Sequence, residues 1–152
     1  MHRVLPFLRF SLVIFLLTAL ACPAFAEDIK TLLNKAKGGD ARAQYNLGTM
    51  YANGQSVPQD YAEAVKWYRK AADQGYSEAQ YNLGFKYFTG QGVPKDYVQS
   101  YFWYSLAASR SSGEDHKKFS DARDQAAKKL TPEKLKEAQL MTREWEKAHP
   151  KK

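Results

Sequence analysis

The side chains able to do covalent or acid–base chemistry are few in this sequence, and they are scattered. Beyond an apolar N-terminal stretch the only histidines are His116 and His149, and neither has a second ligand at i+3 or i+4, the spacing a helical metal site needs. No Ser-x-x-Lys places a nucleophile one helical turn from a lysine base, and no Gly-x-Ser-x-Gly elbow occurs. Gly90-Gln91-Gly92 reads as a turn, not a phosphate loop. Glu114-Asp115 suits a helix N-terminus, where negative charge is favoured. No constellation for general acid–base work is visible. No catalytic residue, metal site or cofactor is therefore expected. What the sequence offers instead is Tyr45-Asn46 and Tyr81-Asn82, the same pair 36 residues apart.

These pairs sit inside a duplicated passage. Residues 39–74 and 75–110 align without a gap, with 18 of 36 positions identical. Self-similarity at a fixed period marks a stacked repeat array, whose units bury their apolar faces against each other. Each copy reads as two helices. The first spans Ala41–Ala52 and again Ser77–Phe88, with Ala43, Leu47, Met50 and Tyr51 on one face and Ala79, Leu83 and Tyr87 repeating it. Gly48 and Gly84 fall mid-helix, where glycine costs about 1 kcal/mol against alanine. Meeting that cost twice at one position implies a close helix contact that a side chain would block. Pro58 and Pro94 bar continuation of the helices that Gly54 and Gly90 end. The second helices open with Asp60 and Glu63, then Asp96 and Gln99, read as capping boxes. Trp67, Tyr68, Ala71 and Ala72 recur as Trp103, Tyr104, Ala107 and Ala108.

The flanks complete the array. Residues 27–38 form an N-terminal capping helix over Asp28–Lys37, in register with a second helix. Residues 111–149 are a worn third helix pair. Glu114–Leu130 carries Phe119, Ala122, Ala126 and Leu130, and a helix after Thr131-Pro132 turns Leu135, Ala138, Met141, Trp145 and Ala148 inward. Residues 150–152 are a frayed tail. The fold class is all-α: antiparallel helix pairs in an α-solenoid of about seven short helices.

Residues 1–26 read as a secretory signal: a basic start at His2, Arg3 and Arg9, an apolar run Phe10–Leu20, and Ala24-Phe25-Ala26 as the cleavage pattern. The run is too short for a comfortable membrane span. Cys22 offers the less favoured alternative of lipidation. Cleavage after Ala26 removes two arginines and no acid, lowering the net charge from +7 to +5, and leaves no cysteine. A periplasmic or secreted chain held by packing alone is expected, with no transmembrane span after cleavage. Mild basicity there points away from nucleic acid and toward acidic partners.

Ala41–Gly75, read as AxAQYNLGxxYxxGxxVPxDYxxAxxWYxKAAxQG, resembles the Sel-one-like repeat, a relative of the tetratricopeptide repeat. The resemblance covers 39–110 specifically and 111–149 partly. It implies a right-handed array whose first helices line a concave face. It also implies an adaptor for proteins, in bacteria often exported to the envelope. On that face stand Arg42, Tyr45, Asn46, Thr49 and Asn53, then Glu78, Tyr81, Asn82, Phe85 and Thr89. The worn copy adds Lys117 and Lys118. By resemblance, Asn46 and Asn82 hold the place of a peptide-gripping asparagine; equally, they could only set repeat stacking. Tyr45 and Tyr81 read more readily as packing, while Phe85 and Phe88 are candidate exposed rings. The expected occupant is a protein or peptide segment, acidic in part, taken by a monomer. Cysteine-rich relatives said to act on β-lactams make a hydrolase the alternative, and this sequence has no residues for it.

Overall fold

The computed structural model describes residues 23–151, with side chains from Asp28 onward. Among the described residues there are seven α-helices and no strand: α1 (Pro23–Lys37), α2 (Ala41–Asn53), α3 (Tyr61–Asp73), α4 (Ser77–Thr89), α5 (Tyr97–Ser109), α6 (Gly113–Ala127) and α7 (Pro132–Ala148). The repeat pairs α2–α3 and α4–α5 match the periodicity to within a residue at each end. The expected leader lies almost wholly outside the described residues. Only α1 reaches it, beginning at Pro23, four residues ahead of the expected cleavage point.

Each helix end has a local cause. Asp40, Asp60 and Asp96 cap α2, α3 and α5, accepting from Ala43 N at 2.6 Å, Glu63 N at 2.9 Å and Gln99 N at 3.0 Å. The expected reciprocal half of the capping boxes is not formed. The Glu63 carboxylate turns to Lys66 instead. The backbone N–H groups of Asp60 and Asp96 donate to Tyr51 O at 2.9 Å and Tyr87 O at 3.0 Å, carbonyls of the preceding helix. That bond folds each inter-helix loop back on its own pair, so the glutamate and glutamine have no donor left to satisfy. Gly54 and Gly90 end α2 and α4 in the left-handed conformation, with φ of 67° and 76°.

Packing follows from small residues on one helix and rings on the next. A Cβ built on Gly48 would stand 2.7 Å from Tyr68 Cδ1, and one on Gly84 2.8 Å from Tyr104 Cδ1. The glycines are therefore what lets α2 lie on α3 and α4 on α5. Ala64, Ala71, Ala72, Ala79, Leu83 and Leu106 are fully enclosed between the pairs. A second bond locks one unit to the next: Gln44 Nε2 donates to Ala36 O and Gln80 Nε2 to Ala72 O, both at 3.0 Å.

The C-terminal part departs from the repeat. α6 packs on α5 through Phe119 and Ala126, as a third first helix should. α7 does not pair along α6; it lies on α5. It runs in the direction of α5, since Lys134 near its start senses Asp96, and Trp145 and His149 at its end meet Arg110. The reason is composition. α6 buries only two side chains and has no second apolar face, so Met141 and Trp145 find the core cluster around Phe102, Trp103 and Leu106 instead. Ala148, expected to face inward, is exposed, because the helix ends where Arg110 claims Trp145 and the His149 carbonyl.

Candidate partner-binding face

The predicted face divides into residues already spent on packing and residues left free. Tyr45 leans on Tyr68 at 5.9 Å and on Tyr76 at 5.3 Å between ring centres. Tyr81 stacks on Phe119 at 4.7 Å and meets Tyr104 at 5.4 Å. Both tyrosines thus bridge one repeat to the next, which is the packing reading. Thr49 is tied down as well: its hydroxyl donates to Tyr45 O at 3.1 Å and accepts from the Tyr68 hydroxyl at 3.3 Å. Phe88 is half-buried, edge-on to Tyr97 at 5.4 Å.

The two asparagines part company. Asn46 and Asn53 are exposed. Asn82 is half-buried and faces the Tyr68 phenol. Burial pushes that phenol up, while its hydrogen bonding with Thr49, to which it donates, and with Asn82 pulls it back. Asn82 thus lies against the preceding repeat, and Asn46 is left to solvent. One repeat on, Phe85 and Lys118 replace Thr49 and Asn82, so the Tyr104 phenol lacks both partners and burial raises it strongly.

Four features remain outward. Phe85 is 42% exposed, one of two large hydrophobic side chains left so among the described residues. Lys118 Nζ stands 4.6 Å from the Tyr81 ring centre, a cation–π contact that aims the ammonium along the face. Lys117 pairs with Asp121 at 3.3 Å, but both are exposed, and such pairs contribute roughly 0–1 kcal/mol, so neither charge is committed. Arg42 is exposed, while Glu78 is half-buried and accepts from Ser77 Oγ at 2.9 Å. Thr89 Oγ1 returns its proton to Phe85 O at 2.9 Å. The face is thus apolar at Phe85 and basic at Lys117-Lys118.

Clefts also lie elsewhere among the described residues. One of about 580 Å³ is lined by Asp28, Ile29, Leu32, Met50, Gln55 and Ser56. One of about 340 Å³ separates α6 from α7 over Tyr101 and Ser105. One of about 690 Å³ gathers Asp73, Gln74, Arg110, Trp145 and His149. Burial there raises the Asp73 carboxyl, against the pull of Arg69 and His149. Sequence reasoning missed this junction and the buried Lys86, whose pKa burial lowers. The repeat register held the signal: Arg110 stands where the first copy has Gln74, which bonds Gly39 O at 2.9 Å. Among the described residues no group of three His, Cys, Asp or Glu could hold a metal, and no helix is long and apolar enough to cross a membrane.

The Sel1 repeat family model matches residues 41–76 and 77–112. A comparison with curated proteins finds no match. Among solved structures, c5321, a protective antigen of uropathogenic Escherichia coli strains with an SLR fold, is 34% identical with a TM-score of 0.72, over 78% of this chain and 25% of that one. A Sel1 repeat protein from Oxalobacter formigenes is 35% identical with a TM-score of 0.56, over 60% of this chain and 37% of that one. The chain thus spans between a quarter and two fifths of the length of these relatives. Two family-model matches coincide with the two helix pairs held by Gly48–Tyr68 and Gly84–Tyr104, and the chain is an SLR helical repeat protein.

Proposed function

We propose that this protein is an exported scaffold of the bacterial envelope that holds a protein or peptide segment across α2, α4 and α6. Sel1 repeat proteins are generally protein-interaction scaffolds, and the finer reading rests on this chain's own surface. The observation that carries it is Phe85, left 42% exposed on a helix whose other rings are spent on packing. One solvent-facing ring on the same face as the Lys117 and Lys118 ammonium groups suits a partner that brings an apolar residue next to a carboxylate. Arg42, Asn46 and Asn53 extend the surface along α2. Export, a monomeric state and the acidic character of the partner belong to the same proposal.

Capture from envelope extract with the exported form identifies the partner. Titration against Phe85→Ala and Lys118→Glu then tests the face. Each variant should weaken binding at least tenfold with the melting temperature unchanged. Wild-type affinity in both would refute the site.

A further inference from the structure

Each second helix of the repeats opens on an aromatic residue, Tyr61 in α3 and Tyr97 in α5. Counting back 36 from Tyr61 reaches Phe25, on α1. Tyr61 lies in a site that the following repeat builds around it. Lys86 Nζ stands 4.1 Å from its ring centre, steadied by Gln91 Oε1 at 2.8 Å. Gly92 approaches the Tyr61 carbonyl so closely that a Cβ there would collide.

The same walls stand one repeat earlier. Met50, Gln55 and Ser56 precede Lys86, Gln91 and Gly92 by 36 residues, and with Ile29 and Leu32 they line the cleft of about 580 Å³. The loop keeps its shape: Ser56 holds a left-handed φ of 64°, Gly92 one of 78°. Ile29 and Leu32 follow position 25 by four and seven residues, as Val65 and Tyr68 follow Tyr61, so each trio lies on one helix face. Cleavage after Ala26 would take Phe25 away and leave these walls behind.

We infer that in the processed chain this cleft receives an aromatic side chain from a partner protein, Tyr61 being the internal template for what fits. The inference rests on export and cleavage as proposed above. Met50 puts a thioether where Lys86 puts its ammonium, and sulfur against a ring edge is favourable. Asp28 in the lining can accept a hydrogen bond from a phenol, so tyrosine suits the cleft better than phenylalanine.

The probe is p-cresol, the tyrosine side chain alone, added to the exported protein after mass spectrometry has defined its N-terminus. Methyl resonances of Met50, Ile29 and Leu32 should shift saturably in the millimolar range, with Met141 on the far helix unmoved. Ile29→Trp, which fills the rim, should abolish the Met50 shift while leaving the helical circular dichroism intact. Shifts that never saturate, or that Met141 shares, overturn the receptor site. A native N-terminus that retains Phe25 overturns the processing step and leaves the cleft to be judged by a chain begun at Glu27.

Discussion

Gln80 Nε2 donates to Ala72 O at 3.0 Å, and Gln44 Nε2 donates to Ala36 O at the same distance. The residues between which these bonds run are eight apart in both cases, and both amides are buried. The inter-repeat lock is therefore a glutamine on the first helix of each full repeat, closing the last turn of the helix before it, and on α6 His116 Nδ1 stands 2.8 Å from Ala108 O at the same place. A helix end buried against a neighbour needs such a donor for its orphan carbonyls.

Replacing Gln80 by methionine keeps the volume and removes the donor. Ala72 O keeps the Gly75 N–H at 2.9 Å, so the loss is one buried hydrogen bond, about 0.5–1.5 kcal/mol. Urea unfolding followed by circular dichroism should show that loss as a lower midpoint with an unchanged slope.

Gly84→Ala sets a helix-propensity gain against a collision. Alanine gains about 1 kcal/mol in a helix interior. A methyl forced to 2.8 Å from Tyr104 Cδ1 costs about 1–3 kcal/mol as overpacking of a rigid ring. Net destabilisation is expected, because Tyr104 is itself buried and has little room to yield. A variant as stable as the parent in urea would contradict the close-contact account.

Tyr68, Tyr81 and Tyr104 all have phenols raised above the ordinary value of 10.0, with burial as the leading cause. The neutral phenol is the form the fold accepts. Their contribution is fully present below pH 10 and is lost as pH climbs from there toward the raised folded values. Lys86 acts oppositely. Its folded pKa is lowered from 10.5, so its burial penalty fades as pH rises between the two. The three phenols outweigh the one amine, and the urea midpoint should drop above pH 10. Ring resonances of Tyr68, Tyr81 and Tyr104 should show phenolate only together with unfolding and not before it.

Arg110 holds the end of α7. Its guanidinium carbon stands 4.8 Å from the Trp145 ring centre, and Nη2 donates to His149 O at 2.5 Å. Trp145 and His149 stack on each other at 4.1 Å. Arg110→Ala removes one charge-assisted bond and one cation–π contact, together about 2–3 kcal/mol. Amide exchange should quicken across 132–149 and stay unchanged in α2 and α3. Uniform protection in both regions would show that α7 is held by Met141 and Trp145 burial alone.

The repeat pairs were legible because their causes are local or recur at a fixed offset. Proline after the loops, aspartate at the caps and glycine opposite tyrosine each act within one unit, and the 36-residue spacing repeats them. The functional face was legible only as a set of positions. Which of them stay free was decided by neighbours: Asn82 lies against Tyr68, Tyr81 stacks on Phe119, and Thr49 is tied to Tyr45 and Tyr68.

The sequence alone determined that the chain stacks helical hairpins, since period and pattern specify each helix and the face it must hide. Only the tertiary structure decided where α7 goes and which side chains remain for a partner. Both depend on competition for buried area and for hydrogen-bond donors among residues far apart in the chain. α7 lies on α5 because apolar surface was available there and absent on α6. Phe85 faces water because no neighbouring helix reaches it.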